Sequence, residues 1–187
     1  MNIVVYCGAS LGVNAQYKQA AVTLGTWIAE NNHTLVYGGG KVGLMGVIAD
    51  TVLQAGGKVI GVIPTFLQER EIAHADLTEL HVVETMSERK QKMLALGNAC
   101  IALPGGPGTL EEIIEAVSWA RVGQNDCPCI FYNVADYYEQ LQHFFDWMVH
   151  EEFLSLADRR NVLFAHSVEE MAQFIAEYTP PEVRQYK

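Results

Sequence analysis

The chain has 187 residues, half of them hydrophobic and 18% charged, a composition that suits a packed core and not a disordered chain. Its 12 Lys and Arg against 22 Asp and Glu leave a formal charge of −10 with no long basic run, which argues against a duplex nucleic-acid partner. No apolar run approaches the roughly 20 residues of a membrane span, and a strand-like segment follows Met1 with no signal peptide, so a cytoplasmic protein without a membrane partner is expected.

In chain order, short apolar runs alternate with longer helical patterns. Strands are predicted over 3–6, 34–37, 59–63, 80–83, 100–103, 129–132 and 162–164. Helices are predicted over 14–31, 43–55, 86–97, 109–122, 137–150 and 168–178, the last opened by the capping pair Ser167 and Glu170. Residues 64–78 read as a long loop. Continuously apolar strands are buried on both faces, and strand–helix alternation gives an α/β fold: a Rossmann-like, doubly wound parallel sheet, one domain over residues 1–187. Ligands of such sheets bind beyond the carboxyl ends of the strands. Cys7, Cys100, Cys127 and Cys129 match neither a zinc ribbon nor a Cys-x-x-Cys motif and read as buried reduced thiols. The six histidines lack ligand spacing, so no metal is expected.

Three glycine-bearing loops follow predicted strands: Cys7-Gly8-Ala9-Ser10, the stretch from Gly38, Gly39 and Gly40 to Gly43 and Gly46, and Pro104-Gly105-Gly106-Pro107-Gly108-Thr109. Glycine lets backbone approach an anion, and a helix N-terminus presents free N–H groups, so three such loops favour a phosphate or nucleotide site. The second loop matches Gly-x-Gly-x-x-Gly, but the next strand ends Val62-Ile63-Pro64 without the carboxylate that a nicotinamide dinucleotide requires. The Gly-x-x-x-x-Gly-Lys-[Ser/Thr] loop of nucleoside triphosphate hydrolases is absent.

Two charged segments stand beside these loops. Thr109 and Glu112 have capping-box spacing; Glu112 either caps its helix or serves as a carboxylate that activates water and stabilises positive charge on a sugar. Thr85 and Glu88 form a second such box, followed by Arg89, Lys90 and Lys92. Cations there oppose the helix dipole, so they form either a solvated basic face or a group in which Arg89 meets an anion or Glu112. Glu69-Arg70-Glu71 in the long loop reads equally as a binding loop or as solvated charge.

Pro-Gly-Gly-Pro-Gly-Thr-Leu-Glu-Glu over 104–112 resembles the Pro-Gly-Gly-x-Gly-Thr-x-x-Glu signature of the LOG ("lonely guy") family of cytokinin riboside 5′-monophosphate phosphoribohydrolases, formerly labelled lysine decarboxylases. Tyr6-Cys7-Gly8-Ala9-Ser10, Tyr37 to Gly46, and Met86-Ser87-Glu88-Arg89-Lys90 resemble further family segments, so the likeness spans nearly the whole chain. It implies a Rossmann-like homodimer that splits AMP or an N6-substituted AMP into free base and ribose 5-phosphate with no cofactor. It puts the catalytic pair on Arg89 and Glu112. It puts nucleotide contacts on Glu71, Arg89, Lys90, residues 106–112 including Gly106, Gly108 and Thr109, and Ser118, where Thr is commoner. Ser10, Gly39, Gly40, Gly43, Met86 and Gly105 join these as candidate substrate-binding residues on the matched segments. A lysine decarboxylase would carry pyridoxal phosphate on a lysine, and Lys41 is the only lysine within a glycine loop. A non-catalytic nucleotide sensor would share the pocket and bind AMP without turnover.

Overall fold

A computed structural model describes residues 1–68 and 73–183. Seven parallel strands form one sheet: β1 (Asn2–Tyr6), β2 (Thr34–Tyr37), β3 (Lys58–Pro64), β4 (Glu79–Val83), β5 (Ala99–Ala102), β6 (Cys129–Tyr132) and β7 (Val162–Ala165). Their order is β4-β3-β2-β1-β5-β6-β7. The chain therefore winds outward from β1 in one direction, then restarts beside β1 at β5 and winds outward in the other. That reversal opens a crevice at the carboxyl ends of β1 and β5.

The central strands are buried on both faces, as their apolar runs require, while the edge strand β4 is largely exposed. Ile3 and Val5 point into one core layer with Leu24, Ile28 and Ile48, from helices α1 (Ala15–Glu30) and α2 (Gly43–Gln54). Val4 and Tyr6 point into the other with Met93, Ile113 and Phe145. Those three come from α4 (Met86–Leu96), α5 (Pro107–Arg121) and α6 (Glu139–His150), α3 being the single turn Thr65–Gln68. Each fully buried aliphatic side chain contributes roughly 1.5–3 kcal/mol. Two short helices close the chain, α7 (Leu156–Arg160) and α8 (Val168–Glu177). All four cysteines are buried and unbridged. Contact with Cys100 and burial push the Cys127 thiol up, away from the reactive thiolate.

Side-chain caps open α1, α4, α7 and α8. Asn14 accepts from Gln16 N–H at 2.9 Å. Thr85 accepts from Glu88 N–H at 3.1 Å while Glu88 accepts from Glu84 N–H at 3.0 Å. Ser167 and Glu170 repeat that arrangement at α8.

Most boundaries agree with the sequence reading to within one residue, and four differences are larger. The predicted loop 64–78 begins with the single turn α3, and Ala73 then makes an antiparallel bridge with Gly40. The helix predicted from residue 137 starts at Glu139, after a 3-10 turn over Val134–Asp136. Helix α7 was missed. Elements this short carry too few residues to show a period. Finally, α5 starts at Pro107 with Gly106 as N-cap and no side-chain cap bond. Proline already lacks the N–H that a first helical position leaves unused. Glu112 is therefore not a capping group.

Candidate active site

A cavity of about 290 Å³ opens in the crevice between β1 and β5. Its floor is the end of β1 with Cys7, Gly8 and Ala9, and its walls are Gly38, α4 and the first turns of α5. Met86, Arg89 and Met93 lie on one face of α4 at spacings i, i+3 and i+7, so a single helical stripe delivers all three. Gly108, Thr109 and Glu112 share a face of α5 by the same rule. The first-turn N–H groups of that helix have no intrahelical acceptor, and its dipole favours an anion. A larger cavity of about 780 Å³ lies by α7 and the C-terminal segment. There Arg121 is already neutralised by Asp158 at 3.0 Å, and no glycine loop or strand carboxyl end contributes, so the smaller cavity is the candidate site.

Arg89 is only 5% exposed. Its Nε donates to the Val62 carbonyl at 3.1 Å and its Nη2 to the Gly38 carbonyl at 2.9 Å. The guanidinium is thus held against the ends of β2 and β3 as a fixed cation with little water around it, where charge acts strongly. Gly38 makes this possible: a Cβ there would sit 2.0 Å from Arg89 Nη2. Gly38→Ala is expected to displace the guanidinium and lower activity at least tenfold while the protein stays folded; wild-type activity in that variant would show that Arg89 placement is not critical.

Glu112 is half-buried on the cavity wall. Beneath it, burial first, then Cys100 and the Glu112 carboxylate, hold the Tyr6 hydroxyl well above the ordinary phenol range, so Tyr6 stays protonated.

The structure thus gathers Met86, Arg89, Gly106, Gly108, Thr109 and Glu112 into one cavity. Ser10 and Gly105 line a neighbouring cavity of about 240 Å³ that shares Gly8 and Gly106 with the first. Gly39, Gly40 and Gly43 form its framework instead: Gly40 pairs with Ala73, and Gly43, at φ +60, packs against the Ala9 and Ser10 backbone. Lys90 points away, its ammonium paired with Glu111 and, at 2.7 Å, with Glu115. Those partners raise its pKa. Ser118 is exposed beside an apolar groove with Leu110 and Phe144. Glu71, with Glu69 and Arg70, lies outside the described residues. Lys41 is exposed, and no lysine lines the cavity among the described residues. Sequence reasoning missed Leu67 and Met93, and had Gly38 and Met45 only as members of the second glycine loop, without a role of their own. Met93 was recoverable, one turn after Arg89. Among the described residues no cluster of His, Cys, Asp or Glu could hold a metal, and no helix is long and apolar enough to cross a membrane.

Known proteins resemble this chain over most of its length. A family model described as "Possible lysine decarboxylase" matches residues 45–175. The chain is 44% identical over 178 residues to the cytokinin riboside 5′-monophosphate phosphoribohydrolase LOG1 of Arabidopsis thaliana, covering 95% of this chain and 84% of that one. It is 43% identical over 169 residues to the enzyme of the same name from Rhodococcoides fascians, covering 90% and 85%. Among solved structures, a Moco carrier protein from Chlamydomonas reinhardtii superposes with a TM-score of 0.71 at 21% identity, over 95% of this chain and 98% of that one, a likeness of fold alone. With relatives this similar over almost its whole length, the chain belongs to the LOG family.

Proposed function

We propose that the protein hydrolyses the N-glycosidic bond of a purine nucleoside 5′-monophosphate, either AMP or an N6-substituted AMP of the cytokinin type, releasing free base and ribose 5-phosphate. The observation that carries this reading is the convergence of Arg89 and Glu112 on a cavity at the N-terminus of α5. In this reading the first-turn N–H groups near Gly106, Gly108 and Thr109 hold the 5′-phosphate, and the apolar surface of Met45, Met86 and Met93 takes the base. Glu112 then stands at the sugar. As the C1′–N9 bond breaks and its electron pair leaves with the base, positive charge builds at C1′. The carboxylate stabilises that charge and takes a proton from the water that attacks C1′, while the departing base takes up one proton from solvent, so that neutral base and ribose 5-phosphate are released. Arg89 orients the reacting groups from its fixed position.

Lys90 then serves as a clamp: it joins α4, which carries Arg89, to α5, which carries Glu112. Because its partners raise its pKa, the stabilisation is fully present at neutral pH and is lost only as pH rises through the raised value. Lys90→Met leaves Glu111 and Glu115 as like charges one turn apart. A fall in Tm of roughly 2–4 °C per kcal/mol lost is expected, with a smaller loss of activity than at Arg89 or Glu112. A loss of activity equal to theirs at unchanged Tm would instead make Lys90 a substrate contact.

The exposed apolar groove between α5 and α6 supports a homodimer: Phe144 is 53% and Leu110 38% exposed there, beside Ser118. Large exposed apolar patches commonly mark interfaces. A cytoplasmic location is proposed from four buried, unbridged thiols, which suit a reducing compartment. The substrate is tested by incubating the protein with AMP and with N6-isopentenyl-AMP and reading released base by chromatography. Base from either supports the reading, and the rate ratio assigns the N6 preference. Bound AMP without base would favour a sensor.

A further inference from the structure

The turn between β6 and α6 is built in an unusual way. Ala135 and Asp136 hold φ values of 50° and 57°, a left-handed conformation that non-glycine residues rarely adopt. Such backbone persists only where its surroundings impose it. Here the imposing group is Asn133, which is buried: its N–H donates to Ala165 O at 2.7 Å, and its Oδ1 accepts from Tyr138 N–H at 2.6 Å.

The turn delivers two consecutive tyrosines to one loop. Tyr138 donates its hydroxyl to Leu103 O at 2.7 Å, and Tyr137 donates to Gly105 O at 2.6 Å. The Tyr137 ring is braced edge-on by Tyr17 of α1, with centroids 5.6 Å apart, and by Tyr138 at 4.9 Å. Both carbonyls beside Pro104 are therefore gripped from the α6 side.

The Tyr137 contact has a consequence for the next N–H. In a trans peptide the C=O of one residue and the N–H of the next point in opposite directions. Fixing Gly105 O towards Tyr137 turns the Gly106 N–H away from it, and Gly106 lines the cavity that also holds Arg89 and Glu112. This peptide lies between two glycines, the residues least opposed to a flip, so it needs an external hold.

We propose that Tyr137 is a positioning residue that locks the Gly105–Gly106 peptide with its N–H aimed at the substrate's 5′-phosphate. This deepens the phosphoribohydrolase reading and rests on it. Tyr137→Phe keeps the braced ring and removes only the donor, and at 43% exposure the side chain is not needed for the core.

The test compares wild type and Tyr137→Phe for kcat and KM with AMP, and for competitive inhibition by ribose 5-phosphate and by adenine. The expected result is a three- to tenfold rise in KM for AMP and in Ki for ribose 5-phosphate, a rough range for one lost hydrogen bond. The Ki for adenine and the Tm stay put, and kcat stays within about twofold by the logic of uniform binding. Equal rises for adenine and ribose 5-phosphate, or no rise for either, overturn the role of Tyr137 alone. Absence of turnover in the wild type overturns the hydrolase reading and this inference with it.

Discussion

Glu112→Gln is expected to lower kcat for AMP by about 10²–10⁴-fold, the usual span for a lost general base. The amide is nearly isosteric with the carboxylate, but it cannot take a proton from water or stabilise positive charge at C1′. Because Gly106 is the N-cap of α5, Glu112 is the sixth residue of the helix and outside its capping positions, and the variant is expected to melt within a degree or two of wild type. It should also bind AMP within about threefold, since binding that is equal in ground and transition states survives the loss of a group acting only in the latter. Kinetics, calorimetric binding and a thermal melt on the same preparation check all three. Wild-type turnover would remove Glu112 from the mechanism, and a large fall in Tm would assign it a structural role.

Arg89→Ala is expected to fail twice over. The cation fixed at the cavity wall disappears, which by analogy with other preorganised electrostatic groups lowers kcat/KM about 10²–10³-fold. The Val62 and Gly38 carbonyls it held also lose their donor. Buried acceptors left unsatisfied cost about 1–3 kcal/mol each, so Tm should fall by several degrees. Arg89→Lys separates the two effects. Lysine keeps the charge but not the planar fork that reaches two carbonyls in different directions. Much of the stability and little of the activity should return. Full recovery of activity in Arg89→Lys would show that only charge matters there, and full activity in Arg89→Ala would leave Arg89 a purely structural residue.

The sheet was readable from sequence because its central strands are buried on both faces, and each leaves an uninterrupted apolar run such as Ile3-Val4-Val5-Tyr6. What escaped was short or locally strained. Residues 134–136 form one turn in which Ala135 and Asp136 take positive φ, and neither residue type announces that. Helices α3 and α7 span too few residues to repeat a pattern. The site was legible in part. Its place at the strand carboxyl ends followed from topology, and the glycine loops marked it. The residues themselves offered Arg89 facing an anion or Glu112 only as one of two readings, the other being solvated charge, and family resemblance chose between them. The fold decides between those readings residue by residue. Arg89 turns inward among carbonyls, Lys90 turns to α5, and Lys92 remains exposed. Ser118 lies off the cavity-facing stripe of α5, because six positions past Glu112 the helix points about a third of a turn away from it, towards the groove with Leu110 and Phe144.

The most direct test of the account is the product balance on AMP. Purified protein is incubated with AMP, and adenine, ribose 5-phosphate, adenosine and inorganic phosphate are all quantified. Hydrolysis at the glycosidic bond yields adenine and ribose 5-phosphate in a one-to-one ratio, abolished in Glu112→Gln. AMP that binds and is recovered intact, or adenosine with inorganic phosphate as products, would contradict it.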